Sequence, residues 1–429
     1  MNSVGISQFA AWIVRSTLIA AVTGSALLLP VSAQQADSVE SLLENRTVRS
    51  ALDGVRSGET QTIDDQVRFC EVPAPPFKEA ARGELLQRTF AQLGLRNVRV
   101  DGAGNVLGDR PGAASRPRLV VASHLDTVFP PETNVKVTRA AAVLRGPGIS
   151  DNCRGLAVLV AVVRALDQGR VQTPGTITFV ANVGEEGLGD LRGMKALFGE
   201  TLKGQVDRFV SIDGGGLHIT HIAVGSHRYR VTFKGPGGHS FGAFGLPNPA
   251  HALGRATAKI AEFQVPSRPR TTFNIGRIGG GTSVNAIPFE AWMEVDMRSS
   301  DRAALAALDA QFQAAVDSAV TEENARWGRP GVVTVTKELV GDRPAGSTPA
   351  LSPIVQTAQA VGRALDLNLG LGEGSTDANI PMSSKIPAIA IGGGGRGSDA
   401  HSLSETYDTT DSWKGTQNAV LLVIALAQK

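Results

Sequence analysis

Two cysteines, Cys70 and Cys153, are all that this chain of 429 residues contains, so no disulfide framework holds it together. The sequence permits one Cys70 to Cys153 bridge and two free buried thiols alike. Aromatic side chains are scarce as well, at 5% against 49 glycines, which points to an aliphatic core and many tight turns. Charge of one sign is also missing. With 42 Lys and Arg against 40 Asp and Glu the net is +2, and no basic run is dense enough to track a phosphate backbone, so nucleic acid is not an expected partner. Beyond residue 33 no apolar run approaches the roughly 20 residues of a membrane helix. Residues 1–33 read differently: Arg15 is their only charge, Leu18 to Leu29 is an apolar core, and Val31-Ser32-Ala33 suits signal peptidase. This is the pattern of a secretory signal, and it predicts an exported protein, periplasmic or secreted, with no membrane span once the signal is removed.

The remaining length exceeds what one hydrophobic core usually organises, so two domains are expected. Strand-like and helix-like stretches alternate up to Ile222 and again from Ser352: a helix over Lys78 to Leu93, strands "RLVVAS", "TITFVANV", "RFVSID" and "PAIAIG", and helices "RGLAVLVAVVRALDQ" and "TQNAVLLVIALAQ". That alternation predicts an α/β domain with a mixed, largely parallel sheet over residues 34–224 and 340–429. The middle reads β-α-β-β-α-β, a ferredoxin-like α+β plan, and predicts an inserted lid or dimerisation domain over 225–339.

Chemistry collects where the apolar strands stop. "RLVVASHLD" delivers His124 and Asp126, "TITFVANVGEE" Glu185 and Glu186, "RFVSID" Asp213, and "PAIAIGGGGRGSDAH" His401. The carboxyl edge of an open α/β sheet is where ligands bind. Asp151, before a helix, suits an N-cap equally well, and Asp213 before three glycines suits a turn. Together, however, two imidazoles and five carboxylates on one edge repel and desolvate one another at a cost of several kcal/mol unless a cation joins them. Imidazole with carboxylate and no thiolate suits zinc, with manganese or cobalt as alternatives. Five ligands with one shared carboxylate make two sites around a bridging, acidified water. Glu185 and Glu186, adjacent in sequence, must then divide the roles of ligand and general base.

"SHLDTVFP", "GPGISDNCRGLA", "VGEEGLG", "DGGG" and "SDAHSLSE", in this order, resemble the successive motifs of the co-catalytic zinc exopeptidases and deacylases. That family includes glutamate carboxypeptidase, acetylornithine deacetylase, succinyl-diaminopimelate desuccinylase, aminoacylase and peptidase T. The resemblance implies that His124, Asp151 and Asp213 hold one zinc and Asp151, Glu186 and His401 the other. It implies that Asp126 orients His124, and that Glu185 moves a proton from a two-metal-bridged hydroxide's parent water to the leaving amine. His239, in the inserted domain, matches a histidine that stabilises the oxyanion from its own or a partner subunit. Asn285 and Arg298 match substrate contacts, and a guanidinium suits a substrate carboxylate. Arg298 falls opposite the apolar face of Phe289, Ala291, Met293, Val295 and Met297, while Gly393 to Gly395, centred on Gly394, suit either backbone N–H groups near a substrate carboxylate or a simple turn of the chain. The expected substrate is a small peptide or N-acyl amino acid bearing a carboxylate, and the expected assembly a homodimer through the inserted domain.

Two other readings compete. "GHSFG" at 238–242 matches the G-x-S-x-G elbow of serine hydrolases, with Ser240 as nucleophile and Asp377, Asp399 and His401 downstream. Its surroundings argue against it, because glycine and proline on both sides cannot run strand directly into helix. A metal-binding protein without catalysis is the third reading, and Glu185 beside the ligands argues against that.

Overall fold

A computed structural model describes residues 39–428; the signal expected over 1–33 lies outside them. Nine strands form one mixed sheet, in the order Arg96–Val100, Val106–Arg110, Thr176–Asn182, Arg118–His124, Arg208–Ile212, Ala388–Ile391, His218–Ala223, Gly346–Ser347, with Gly370–Gly374 also paired to His218–Ala223. The four strands from Thr176–Asn182 to Ala388–Ile391 are parallel, whereas both flanks are mostly antiparallel. The expected parallel character is thus confined to the centre. The reason is connection length: too few residues separate Ile212 from His218 to make a parallel crossover, so the chain returns antiparallel.

The central strands are covered on both faces, and their side chains sort by parity. Leu119, Val121, Ile177, Phe179, Val210, Ile212, Ile389 and Ile391 join the larger core cluster, against helices Arg46–Ser57, Cys153–Gln168 and Trp413–Leu426. Val120, Ala122, Val180, Phe209, Ala388 and Ala390 join a second cluster on the other face, against Leu191, Met194, Leu197 and Met382. A period of two with apolar residues on both sides marks strands buried on both faces. Among the described residues no helix is long and apolar enough to cross a membrane.

The inserted unit has its own core. Its strands lie in the order Thr271–Gly280, Glu290–Ser299, Gly225–Lys234, Thr334–Arg343, all antiparallel. Helices Pro249–Ala261 and Arg302–Arg326 pack on one face. On Glu290–Ser299 every second residue, Ala291, Met293, Val295 and Met297, is buried under those helices. Phe289 does not continue that face, since the ladder starts at Glu290 opposite Lys234 and leaves the ring exposed. The opposite, polar face carries Arg228, Glu294, Asp296 and Arg298. Arg228 reaches the Gly187 carbonyl at 2.7 Å and the Asp342 N–H bonds Asp190 at 2.9 Å, so this face is tied to the loop that carries Glu185 and Glu186.

Candidate metal centre

The parallel strands end in register, with His124 opposite Asn182 and Ile391 opposite Ile212, so the residues that follow them share one edge. A small four-stranded sheet, in the order Arg396–Ser398, Thr406–Asp408, Val143–Arg145, Thr138–Ala140, brings two further loops to that edge. One carries Asp151 and the other His401.

Donor atoms of His124, Asp151 and Asp213 lie within 4.8 Å of one another, as do those of Asp151, Glu186 and His401. Asp151 belongs to both groups. Its Oδ1 is 3.2 Å from His124 Nε2 and its Oδ2 is 3.2 Å from His401 Nε2. Asp213 Oδ1 lies 3.6 Å from His124 Nε2, and Glu186 Oε1 lies 3.1 Å from His401 Nε2. Asp151 Oδ1 is buried without a hydrogen bond, an orphaned acceptor of the kind that a cation satisfies. The residues therefore fit a pair of divalent ions bridged by one carboxylate.

Charge shapes the protons here. Burial works against charging His124, but the Asp151 and Asp213 carboxylates hold it well above the usual imidazole range. Asp151 and Glu186 raise His401 to about 10. Burial pushes Glu185 and Glu186 upward, opposed by Arg343 at the first and by His401 at the second. Asp377, fully buried, rises to about 7 by desolvation, which neighbouring His124 opposes. Asn182 donates to one of its oxygens at 2.8 Å and the other has no partner.

The supporting contacts explain the local sequence. His124 Nδ1 donates to the Asp126 main-chain carbonyl at 3.0 Å, leaving Nε2 as the ligand atom. The Asp126 carboxylate is used elsewhere, accepting the N–H groups of Glu185 and Glu186 at 3.0 and 2.7 Å. The helix cap is Asn152, which accepts the Gly155 N–H and donates to Ser123 Oγ and Ile212 O. Asp151 is thereby free for the centre. Cys70 and Cys153 are free, buried thiols in one small cluster with Leu144, Ile149 and Tyr407.

Two supports were not legible in the sequence. Glu405 accepts the N–H groups of Gly148, Ser150 and Asp151 at 2.9, 2.8 and 2.9 Å. Arg343, on the last strand of the inserted unit, places Nη1 3.0 Å from Glu185 Oε1 and donates to the Glu185 carbonyl and to Ser375 Oγ. "SLSE" placed Glu405 near the motif of His401, but nothing local shows what either side chain reaches.

A cavity of about 280 Å³ opens over the centre, walled by Asp151, Glu185, Asp213 and His401 below and by Arg228 and Arg298 above. Arg298 Nε bonds Asp296 at 2.7 Å. His239 and Asn285 do not line this cavity. They sit together on an exposed two-stranded ladder, where His239 pairs with Ala286 and Ser240 N–H bonds the Asn285 carbonyl. His239 Nδ1 accepts the N–H groups of Phe241 and Gly242 at 3.2 and 3.3 Å, so Nε2 carries the hydrogen and faces outward as a donor. Gly394 offers no N–H to a ligand: that group bonds Gly216 O, and a Cβ there would lie 2.4 Å from Ser412 O. Its place is one of close packing at a φ of +83°. Ser240 is followed by turns, the next helix begins only at Pro249, and among the described residues its hydroxyl makes no hydrogen bond. No nucleophile elbow is formed.

Residues 120–425 match the model of Peptidase family M20/M25/M40. The chain belongs to this family. It is accordingly a hydrolase of peptide or amide bonds, with the family's mixed α/β fold. The Bacillus subtilis protein YqjE, itself uncharacterised, is 24% identical over 351 residues, 78% of this chain and 90% of its own. The aminopeptidase PepT structure from Bacillus cereus superposes with a TM-score of 0.67 at 22% identity, covering 86% of this chain and 98% of that one. The YXEP protein of Bacillus subtilis, described as a dinuclear metal binding peptidase, gives 0.63 at 18% identity over 86% and 99%.

Proposed function

We propose that the chain is an exported metallo-exopeptidase or N-acyl amino-acid amidohydrolase that cleaves a small substrate bearing a free carboxylate. The observation that carries this reading is the pair of ligand groups sharing Asp151, with Glu185 beside both. His124, Asp151 and Asp213 would hold one ion and Asp151, Glu186 and His401 the other. Such ions, most simply zinc, acidify a water molecule and polarise the scissile carbonyl when bound. Glu185 moves the proton: Arg343 engages Oε1, and among the described residues Oε2 has no hydrogen-bond partner. It accepts the proton released by water and passes it to the departing nitrogen, a protonated form that burial favours. Arg298, in the cavity wall with its Nη atoms uncommitted among the described residues, suits the substrate carboxylate.

His239 carries an N–H donor suited to a developing oxyanion, but on a surface away from this chain's own cavity. We therefore assign it to the centre of a second copy, in a homodimer formed through the inserted unit. Support comes from the apolar side chains around it: Phe241 and Phe244 are 89% and 80% exposed, and Val284 fully so, a surface that a monomer would not normally leave to water. The test is hydrolysis of dipeptides, tripeptides and N-acyl amino acids by purified protein before and after metal removal, with zinc, manganese or cobalt restored. Loss and recovery of cleavage is expected. Activity that survives verified metal removal would overturn the reading.

A further inference from the structure

A cavity of about 660 Å³, in the size range of small-molecule sites, lies among helices Arg46–Ser57, Glu59–Cys70, Ala80–Gln92 and Cys153–Gln168 and shares no residue with the cavity over the metal centre. Three of its lining side chains are ionisable, Asp65, Arg68 and Arg164. Asp65 is buried, and its two oxygens accept from Arg68 at 2.9 Å and from Arg164 at 2.7 Å. Arg164 alone would tie two helices together, since it reaches Asp65 from Cys153–Gln168. Arg68 stands on the same helix as Asp65 and adds a second positive charge that the tie does not need. Both guanidiniums spend Nη2 on Asp65, so Nε and Nη1 of each have no acceptor among the described residues. The side-chain amides of Gln61, Gln92 and Gln168 line the same space, and among the described residues they make no hydrogen bond.

The walls of this cavity lead to the loop of Asp151. Arg164 and Gln168 lie near the far end of the helix that Asn152 caps, with Arg164 about 16 Å along its axis from Cys153. On helix Glu59–Cys70, Asp65 and Arg68 line the cavity, while Gln66 donates to the Ile149 carbonyl at 2.7 Å and Cys70 Sγ to the Pro147 carbonyl at 3.5 Å. Glu59, at the start of the same helix, pairs with Arg154 at 3.3 Å. Both helices therefore touch the cavity at one place and the segment that positions the shared metal ligand at another.

We propose that this cavity is an effector site for a small organic carboxylate, held by Arg68 and Arg164 and oriented by the three glutamines, whose binding favours metal capture at Asp151. A carboxylate supplies the missing negative charge and accepts paired N–H bonds from a guanidinium fork. The glutamine amides offer donors and acceptors to the remainder of the ligand. By joining Arg68 to Arg164 the ligand fixes the two helices relative to each other, and with them the segment 147–153. Less ordering is then left to accompany metal binding. The coupling is reciprocal, so bound metal strengthens carboxylate binding by the same factor.

The experiment uses succinate as the probe and its uncharged diamide, succinamide, as the control. Calorimetry on the metal-free protein should show succinate bound about tenfold or more tightly than succinamide, the scale of one charge-assisted hydrogen bond. Arg164→Gln and, separately, Arg68→Gln should remove that preference, whereas Arg298→Ala, at the cavity over the metal centre, should leave it. Each of the first two variants keeps one guanidinium on Asp65, so the fold should survive, and circular dichroism checks that it does. Zinc affinity, read by chelator competition, should rise about fivefold or more in saturating succinate. It should not rise in Arg164→Gln in the same solution, a comparison that also corrects for zinc held by succinate itself. A preference lost in Arg298→Ala and kept in Arg164→Gln would place the anion in the other cavity and overturn the assignment. No succinate binding, binding no tighter than that of succinamide, binding of inorganic phosphate in place of succinate, or a zinc affinity that succinate leaves unchanged or lowers would each overturn the proposal.

Discussion

The Asp151 loop should depend on a residue that touches no metal. Glu405 is fully buried, and its Oε1 accepts the N–H groups of Ser150 and Asp151 while Oε2 accepts that of Gly148. In Glu405→Gln the volume is kept but one oxygen becomes an NH2 group. The two bonds to Oε1 survive only with the amide oxygen in that position, and the Gly148 N–H then faces another donor. One charge-assisted bond is lost and a buried donor is stranded, a cost of about 1.5–3 kcal/mol. Because the displaced backbone carries the shared ligand, metal affinity should fall by about 10- to 100-fold, the usual scale for a supporting contact. Urea denaturation of metal-free protein reads the first effect, and competition with a chromophoric chelator reads the second. Lowered stability with wild-type metal affinity would mean that Asp151 is positioned by something other than Glu405, and the reasoning would fail.

Four further outcomes are expected. Glu185→Gln should abolish turnover while two ions still bind by calorimetry; loss of an ion would make Glu185 a ligand instead of the base. Arg343→Ala removes the guanidinium that opposes the upward push of burial on Glu185 and strands the carboxyl oxygen it bonds, at a cost of about 1–3 kcal/mol in denaturation, so no measurable loss would show the pair to be incidental. His401, raised to about 10, must lose its proton to bind metal, so affinity should increase about tenfold per pH unit from roughly pH 7 to 9. In metal-free protein the same raised imidazole stabilises the fold fully below about pH 6.5 and loses that contribution as pH rises toward 10. A flat affinity profile over this range refutes that protonation. Ser240→Ala should keep kcat/KM within about threefold, since among the described residues no general base contacts its hydroxyl, and inactivation with an intact fold would reopen the serine mechanism.

The central strands were legible because burial on both faces leaves continuous apolar runs, and because each run stops where a titratable residue begins. His124, the Glu185-Glu186 pair and Asp213 stand out for that reason without knowing the strand order, whereas Asp151, before a helix, and His401, beyond a glycine loop, are assigned as ligands only through the resemblance to the exopeptidase motifs. The antiparallel strand His218–Ala223 was not legible, as "HITHIA" mixes polar and apolar residues at a sheet flank and follows a run of glycines. Helices Arg46–Ser57 and Glu59–Cys70 bury little beyond Val48, Ala51, Leu52 and Val55 on the first and Phe69 and Cys70 among the apolar residues of the second, too narrow a stripe to stand out.

Arg343 and Glu405 were hidden for a different reason. An arginine closing an antiparallel strand and a glutamate after a serine-rich loop are unremarkable locally; their meaning lies in contacts 158 residues away, to Glu185, and 254 residues away, to Asp151. Such long-range pairs also link the two units physically. The last strand of the inserted sheet ends on the expected general base, so a shift of that sheet relative to the main one changes the environment of Glu185 as well as the distance from Arg298 to the metal ligands. The proposed substrate contact, Arg298 on Glu290–Ser299, and the proposed base, Glu185, are therefore joined through one sheet, whose last strand, Thr334–Arg343, ends against Glu185. No local sequence pattern expresses that connection, because it exists only once the inserted unit has returned to the sheet it left at Gly225.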